Sequence, residues 1–352
     1  MTFEDHPLVV AARSLAAGLL APDAARVDVE GVPAGHLDAI RDAGLLGVSA
    51  PVEYGGAGAP DAVAREVAEI LAGACCSTWF VQTQHHTPVR MLARSAAPVR
   101  ERLLRRLATG EALAGIAYAH VRAFPRRPVR AAREGDGWRF DGTVPWFTGW
   151  GLNDLMLLAG VTDTGELVFA FADAREQPGL RASPPMRLAA LTAARTVSLG
   201  LDGLWLPDEV VLLRTPHEVF AATDRARAAN ASPAVFGVAR AAVELVAESR
   251  EPDTARALRE RLDAVRESAY ALAEHPEPLE RVAERLACRT RAYDVLRTAT
   301  TAAVVARGGR AMDLREPAQR LSREGMFLLI QGQTSDARRA HLDALAGLGQ
   351  LG

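Results

Sequence analysis

The sequence predicts a mostly helical α+β fold in three parts. These are an N-terminal helical domain (1–111), a small central β-sheet or barrel-like domain (112–212) and a C-terminal four-helix bundle (213–352). Three observations predict it. Apolar residues recur at helical spacing through the first hundred residues and again from about Ala231. Between them, short apolar or alternating runs are bounded by Gly, Asp and Thr, the mark of strands. Alanine, arginine and leucine dominate the composition and favour helix. Helices and strands segregated along the chain indicate α+β layers, not βαβ units.

In the first part, Leu8, Val9, Ala12, Leu15, Ala16 and Leu19 mark a helix over 7–20, followed by a loop broken by Pro and Gly. A short helix over His36–Ala43 ends at Gly44. The stretch Gly44–Gly56 is glycine-rich and suits a tight loop. Asp61 is placed to cap a helix over Ala62–Ala72. Further helices are expected over Ser77–Leu92 and Pro98–Leu107. His85 and His86 are adjacent, so they diverge by about 100° on a helix and cannot ligate one metal as an i, i+4 pair can. One is expected in the core and the other outside it, with a pocket-facing role as the sharper reading.

In the second part, Ala112–His120 reads as a strand, and Trp138–Val144 as strand, turn, strand around Asp141-Gly142. Leu155–Leu158, Leu167–Phe171 and Val197–Leu201 supply further strands. Trp146 and Thr148, two apart on a strand, project to the same face. An indole there can pack on a flat ring while the hydroxyl bonds to the ring edge. His120, Arg122, Arg126 and Arg127 form a basic loop able to bind phosphate or carboxylate, or simply to face solvent.

In the third part, three amphipathic stripes predict long antiparallel helices: Val235–Leu245, Leu258–Leu272 and Leu279–Leu296. Pro317 is a good first residue for a helix reaching Ile330. Gly332 permits the turn that ends it, and Thr334 or Ser335 can cap the next helix, over Asp336–Leu348.

Composition excludes several classes. The 352 residues suffice for two or three packed regions, and 49% hydrophobic with 24% charged residues is ordinary for a globular protein. With 41 basic against 43 acidic residues, a general binder of nucleic acid or of a membrane surface is not expected. Aromatics, at 5%, are too few for a base-stacking platform. Cys75, Cys76 and Cys288 have neither a disulfide nor a metal-ligand spacing and read as buried thiols in a reducing compartment. No basic segment precedes an apolar run, and no run of about 18 apolar residues stands out. The expectation is a cytoplasmic protein with no signal peptide, membrane span, metal or nucleic-acid partner.

Three segments carry a resemblance. Gly44-Leu45-Leu46-Gly47 with Pro51 and Tyr54-Gly55-Gly56, then Gly137–Gly149 with Trp146-Phe147-Thr148, then Gly308-Gly309, Pro317, Arg320-Leu321, Arg323-Glu324 and Gly332–Ser335, resemble the acyl-CoA dehydrogenase superfamily. The resemblance runs over essentially the whole chain. It implies a flavoenzyme with FAD between the β domain and the C-terminal bundle, and Trp146, Phe147, Thr148, Gly308, Gly309 and Thr334 as cofactor contacts. It also implies an oxidoreductase acting on CH–CH bonds, which removes an α-proton and a β-hydride from an acyl thioester held on CoA or a carrier protein. The expected assembly is a homodimer or homotetramer, or a hetero-oligomer with a related subunit.

The chain departs from that pattern in places. Gly332 stands where many members have the catalytic glutamate. The alternative site on the first long C-terminal helix falls near Arg225, with Asp224 beside it. The glycine-rich flavin loop after the 112–120 strand is replaced by His120–Arg127. An arginine–phenylalanine–glycine loop is missing between Ala247 and Ala255, and Val305 stands where a glutamine is expected. The catalytic residue is therefore unassigned, with His86, His120, Asp224 and Gln331 as candidates, and FMN or a loosely held reduced flavin joins FAD as a cofactor. Two alternatives to dehydrogenation follow: a monooxygenase of the same fold using reduced flavin and oxygen, and a non-catalytic subunit of a heteromeric enzyme.

Overall fold

The computed structural model describes residues 5–277 and 279–348. It opens with α1 (Pro7–Leu15), a π-helical turn (Ala16–Leu20) and α2 (Ala21–Glu30) as one continuous helical run. The break expected near Pro22 does not occur. Pro22 falls in the first turn of α2, and the wider π turn before it accommodates a residue without an N–H. By length and composition this 24-residue run is able to cross a membrane, contrary to the expectation of no such segment. Here Val9, Ala12, Leu20, Ala24 and Val27 of the run are buried in the main core. Its charges are also engaged by the fold: Arg13 lies 3.5 Å from Glu66, and Asp28 pairs with Arg323.

The helices α3 (Ala34–Asp42), α4 (Asp61–Ala74), α5 (Cys76–Ala93) and α6 (Val99–Ala108) complete the first part. Pro60, not Asp61, occupies the cap position of α4. Asp61 is instead the first helical residue, where the helix dipole favours a carboxylate.

The β layer comprises β1 (Ala114–Ala117), β2 (Val129–Glu134), β3 (Gly137–Phe147), β4 (Leu155–Val161), β5 (Glu166–Asp173), β6 (Leu180–Ala182), β7 (Val197–Pro207) and β8 (Val211–Pro216). Their order is β6-β7-β3-β2-β4-β5-β8, and β1 pairs in parallel with β4. Pairing of β8 with β5 extends the sheet to Pro216, past residue 212. Two strand expectations are corrected. Asp141-Gly142 is a bulge inside the single long strand β3, and the hairpin turn lies earlier, between β2 and β3. Gly142 needs its φ of +129°, and a side chain there would collide with the Pro128 carbonyl. β1 ends at Ala117, and the chain then forms a 3-10 turn over Ala119–Ala123.

The third part holds α7 (His217–Ala228), α8 (Pro233–Glu248), α9 (Pro252–Ala273), α10 (Val282–Arg307), α11 (Pro317–Ile330) and α12 (Ser335–Leu345). Helix resumes at His217, earlier than its weak apolar stripe suggests. Leu279 lies outside α10 and is exposed. The helices α8 to α11 pack together, and α8 also packs on α4. That last approach is backbone-close: a Cβ at Gly73 would stand 2.7 Å from the Gly237 carbonyl oxygen, and one at Gly237 would overlap the Glu69 carbonyl. One core thus joins the first and third parts, and two smaller cores line the faces of the sheet. The three cysteines are buried and unbridged.

Candidate functional site

A cleft of about 1310 Å³ opens where α4, α5, strand β1, the end of β3, the α7–α8 junction and the end of α11 meet. It exceeds the roughly 300–1,000 Å³ of an ordinary small-molecule site, so it has room for a ring system and a second molecule. Trp146 and Thr148 both line it. The Trp146 indole is 54% exposed, unusual for the largest apolar side chain on a strand. Thr148 is buried and its hydroxyl lies 3.2 Å from that of Thr196, which also lines the cleft. This corner is rigidly held. Asn153 Nδ2 donates to the Thr148 carbonyl at 2.9 Å, and the Gly149 amide donates to the Ala194 carbonyl at 2.8 Å. Strand alternation turns Phe147 the other way: its ring is fully buried against Gly115 and edge-on to Trp150, not at the cleft.

The end of α11 brings Gln331, Gly332 and Gln333 to the cleft. Gly332 has a φ of +65°, and open space surrounds the place a Cβ would take. Thr334 does not line the cleft. Its hydroxyl caps α12 by accepting from the Ala337 amide at 3.3 Å. Gly308 and Gly309 lie in the 3-10 turn after α10, also outside the cleft lining, with open space where a Cβ on either would stand.

The titratable candidates separate by environment. His85 is fully buried, with Nε2 donating to the Leu107 carbonyl at 2.9 Å and Nδ1 accepting from the Ala114 amide at 3.1 Å. It ties α5 to α6 and β1, and burial lowers its pKa to about 4. His86 is half-buried and lines the cleft, with Nε2 2.8 Å from Gln82 Oε1. Burial lowers its pKa to about 3, so it is a neutral imidazole at pH 7. His120 is buried, donates to the Ala159 carbonyl at 2.9 Å, and is lowered by burial to about 4. Asp224 is gripped by both arms of Arg122 at 2.7 and 2.9 Å. The replaced loop is therefore anchored to α7 by a bidentate pair, and Arg127 pairs with Asp163 at 2.7 Å. Arg225 turns away from the cleft and pairs with Asp336.

Six arginines and two aspartates line the cleft. Arg90, half-buried on α5, has no side-chain hydrogen bond or ion pair among the described residues. Its pKa is lowered by burial and then, against a pull from Asp61, by Arg227 and Arg94. The sequence held a signal for it: Gln82, His86, Arg90 and Arg94 recur every four residues, a polar stripe along α5 that ends at its C-cap. Among the described residues, no cluster of His, Cys, Asp and Glu suits a metal ion.

Residues 2–111 match the family model of the acyl-CoA dehydrogenase N-terminal domain. The chain is 26% identical over 218 residues to the probable acyl-CoA dehydrogenase FadE25 of Mycobacterium tuberculosis (strain ATCC 25618 / H37Rv), a match spanning 59% of this chain and 56% of that one. It therefore aligns with little more than half the length of the curated relatives it matches. Butyryl-CoA dehydrogenase from Megasphaera elsdenii superposes with a TM-score of 0.83 at 17% identity, covering 98% of both chains. Dibenzothiophene monooxygenase from Paenibacillus sp. A11-2 superposes with a TM-score of 0.79 at 18% identity, also covering 98% of both. These structural likenesses establish the fold.

Proposed function

We propose that the chain is a member of the acyl-CoA dehydrogenase superfamily, a reading supported by the match of residues 2–111 and by the shared fold, and that it is a flavin-dependent oxidoreductase acting on an acyl thioester. One observation carries the proposal: a bare indole and two hydroxyls form one wall of a cleft with room for a tricyclic ring and a substrate. The residues fit such a group. Trp146 offers a flat apolar face, and Thr148 and Thr196 offer hydroxyls that donate or accept at a ring edge. Once bound, a flavin would supply a two-electron acceptor or, in reduced form, activation of oxygen. The chain's own part is to position the thioester against the ring, exclude water and handle the proton.

The finer reading is α,β-dehydrogenation, which needs a proton acceptor at the cleft. Asp224 is poorly suited, because both its oxygens accept from Arg122. Gly332 supplies no side chain. Two cleft-lining candidates keep a free imidazole nitrogen, His86 and His120, the latter with Nδ1 buried and unpartnered, and the neutral state of both at pH 7 permits either to accept a proton. Their low basicity favours a second reading, oxygen insertion with reduced flavin, in which no carboxylate base is required.

The experiment is anaerobic mixing of the flavin-loaded protein with acyl thioesters. Bleaching of the flavin supports dehydrogenation. Product that forms only from reduced flavin and air supports the second reading. A protein that retains no flavin under any condition overturns both and leaves the non-catalytic subunit.

A further inference from the structure

Arg90 is a cation without a carboxylate. Its neighbours make this costly, since Arg94 lies one turn along α5 and Arg227 faces it from α7, and both raise the local positive charge. The carboxylates of the cleft leave it unpaired, although Asp61 attracts it from a distance. Asp224 is held by Arg122, with Arg227 only at 3.8 Å, and Asp61 makes no ion pair with Arg90 among the described residues. A folded chain keeps an unpaired, partly desolvated guanidinium at a cleft when a ligand supplies the missing charge.

Position narrows the ligand. Val81 on α5 packs beside the Thr148–Gly149 corner, since a Cβ at Gly149 would stand 3.3 Å from Val81 Cγ1. At about 1.5 Å per residue, Arg90 lies about 13 Å further along the helix. His86 and Thr87 line the cleft between the two. The distance suits one molecule lying along α5, with its reacting carbons at the Thr148 wall and an acid at the far end.

We propose that the cleft recognises a substrate carrying an anionic oxyanion group, a carboxylate or a comparable acid, with Arg90 as its anchor and Arg94 and Arg227 as supporting charges. This rests on the reading of the cleft as a flavin and acyl-thioester site. The substrate class is thus an acyl thioester whose acyl end is acidic, not a plain fatty acyl chain. Arg90 acts here as a specificity residue with no part in bond breaking.

The test compares probe pairs of equal chain length, adipoyl-CoA with hexanoyl-CoA and suberoyl-CoA with octanoyl-CoA. Binding is measured by calorimetry on the flavin-loaded protein, the Arg90→Met variant and the Arg90→Lys variant. The wild type is expected to favour the acidic member of each pair. Arg90→Met is expected to lose about 10- to 100-fold of that preference, the worth of a charge-assisted hydrogen bond. Arg90→Lys is expected to restore part of it, with flavin retention and the affinity for CoA alone unchanged. Equal affinity for the acidic and neutral probes in the wild type overturns the proposal. So does an Arg90→Met variant that loses flavin, which assigns the arginine to a cofactor phosphate, or one that loses CoA itself, which assigns it to the coenzyme. A wild type without flavin that still prefers the acidic probes defeats the functional reading and leaves the arginine site standing.

Discussion

Asp224 is a carboxylate at the cleft whose role differs sharply between two accounts. Here it is a strut that locks the His120–Arg127 segment to α7. Substitution Asp224→Asn removes the charge while keeping the shape, and leaves Arg122 with no anionic partner. Breaking a fully buried pair costs about 3–5 kcal/mol. The Arg122 side chain is 32% exposed against 8% for Asp224, so water relieves part of the stranded charge. The expected loss of stability is about 2 kcal/mol after that discount. Urea unfolding of Asp224→Asn, Arg122→Met and the double variant measures it. The double variant is expected to be less destabilised than the two singles summed, by about 1–2 kcal/mol of coupling. Turnover of the folded Asp224→Asn protein is expected to stay close to wild type. A loss of about 10²-fold or more in rate with an unchanged urea midpoint refutes the reasoning, because that is the signature of a general base.

Two further predictions follow from packing and burial. Stability is expected to fall as pH drops from about 6.5 toward 4. His85 and His120 have folded-state pKa values of about 4, so the unfolded chain binds their protons first, and each contributes up to about 1.4 kcal/mol per pH unit across that window. Urea midpoints measured across the range check this, and a midpoint that rises on acidification contradicts it. Gly237→Ala is expected to destabilise by about 3 kcal/mol or more. Its Cβ would overlap the Glu69 carbonyl and force α8 from α4, and a thermal midpoint equal to wild type contradicts the close approach.

Much of the fold is legible because its signals are local. Pro317, the apolar spacing after it and Gly332 delimit α11 at both ends, and its observed bounds, Pro317–Ile330, are those expected. Where the sequence misleads, tertiary contacts override a local cue. Asp141-Gly142 has the chemistry of a turn, yet pairing of β3 with β7 carries the strand through it as a bulge. Pro22 has the chemistry of a break, yet the π turn absorbs it.

The site divides along the same line. Trp146 and Thr148 both reach the cleft, as their two-residue spacing suggests, with Thr148 one residue past the end of β3. Phe147, between them, follows the same period into the core. Gly308, Gly309 and Thr334 were suggested by resemblance, and the fold places them in a turn and a helix cap. Arg90 draws its meaning from Arg227 and Asp224, more than a hundred residues away, which no local pattern reveals.

In the proposed complex a flavin lies against Trp146 with its edge at Thr148. Titration of FAD, followed by quenching of flavin fluorescence, tests it most directly in the wild type and in Trp146→Ala. Saturable, strongly quenched binding to the wild type is expected, with at least about tenfold weaker binding to the variant, the worth of one aromatic stacking contact. Equal affinity and equal quenching in the two proteins would contradict it.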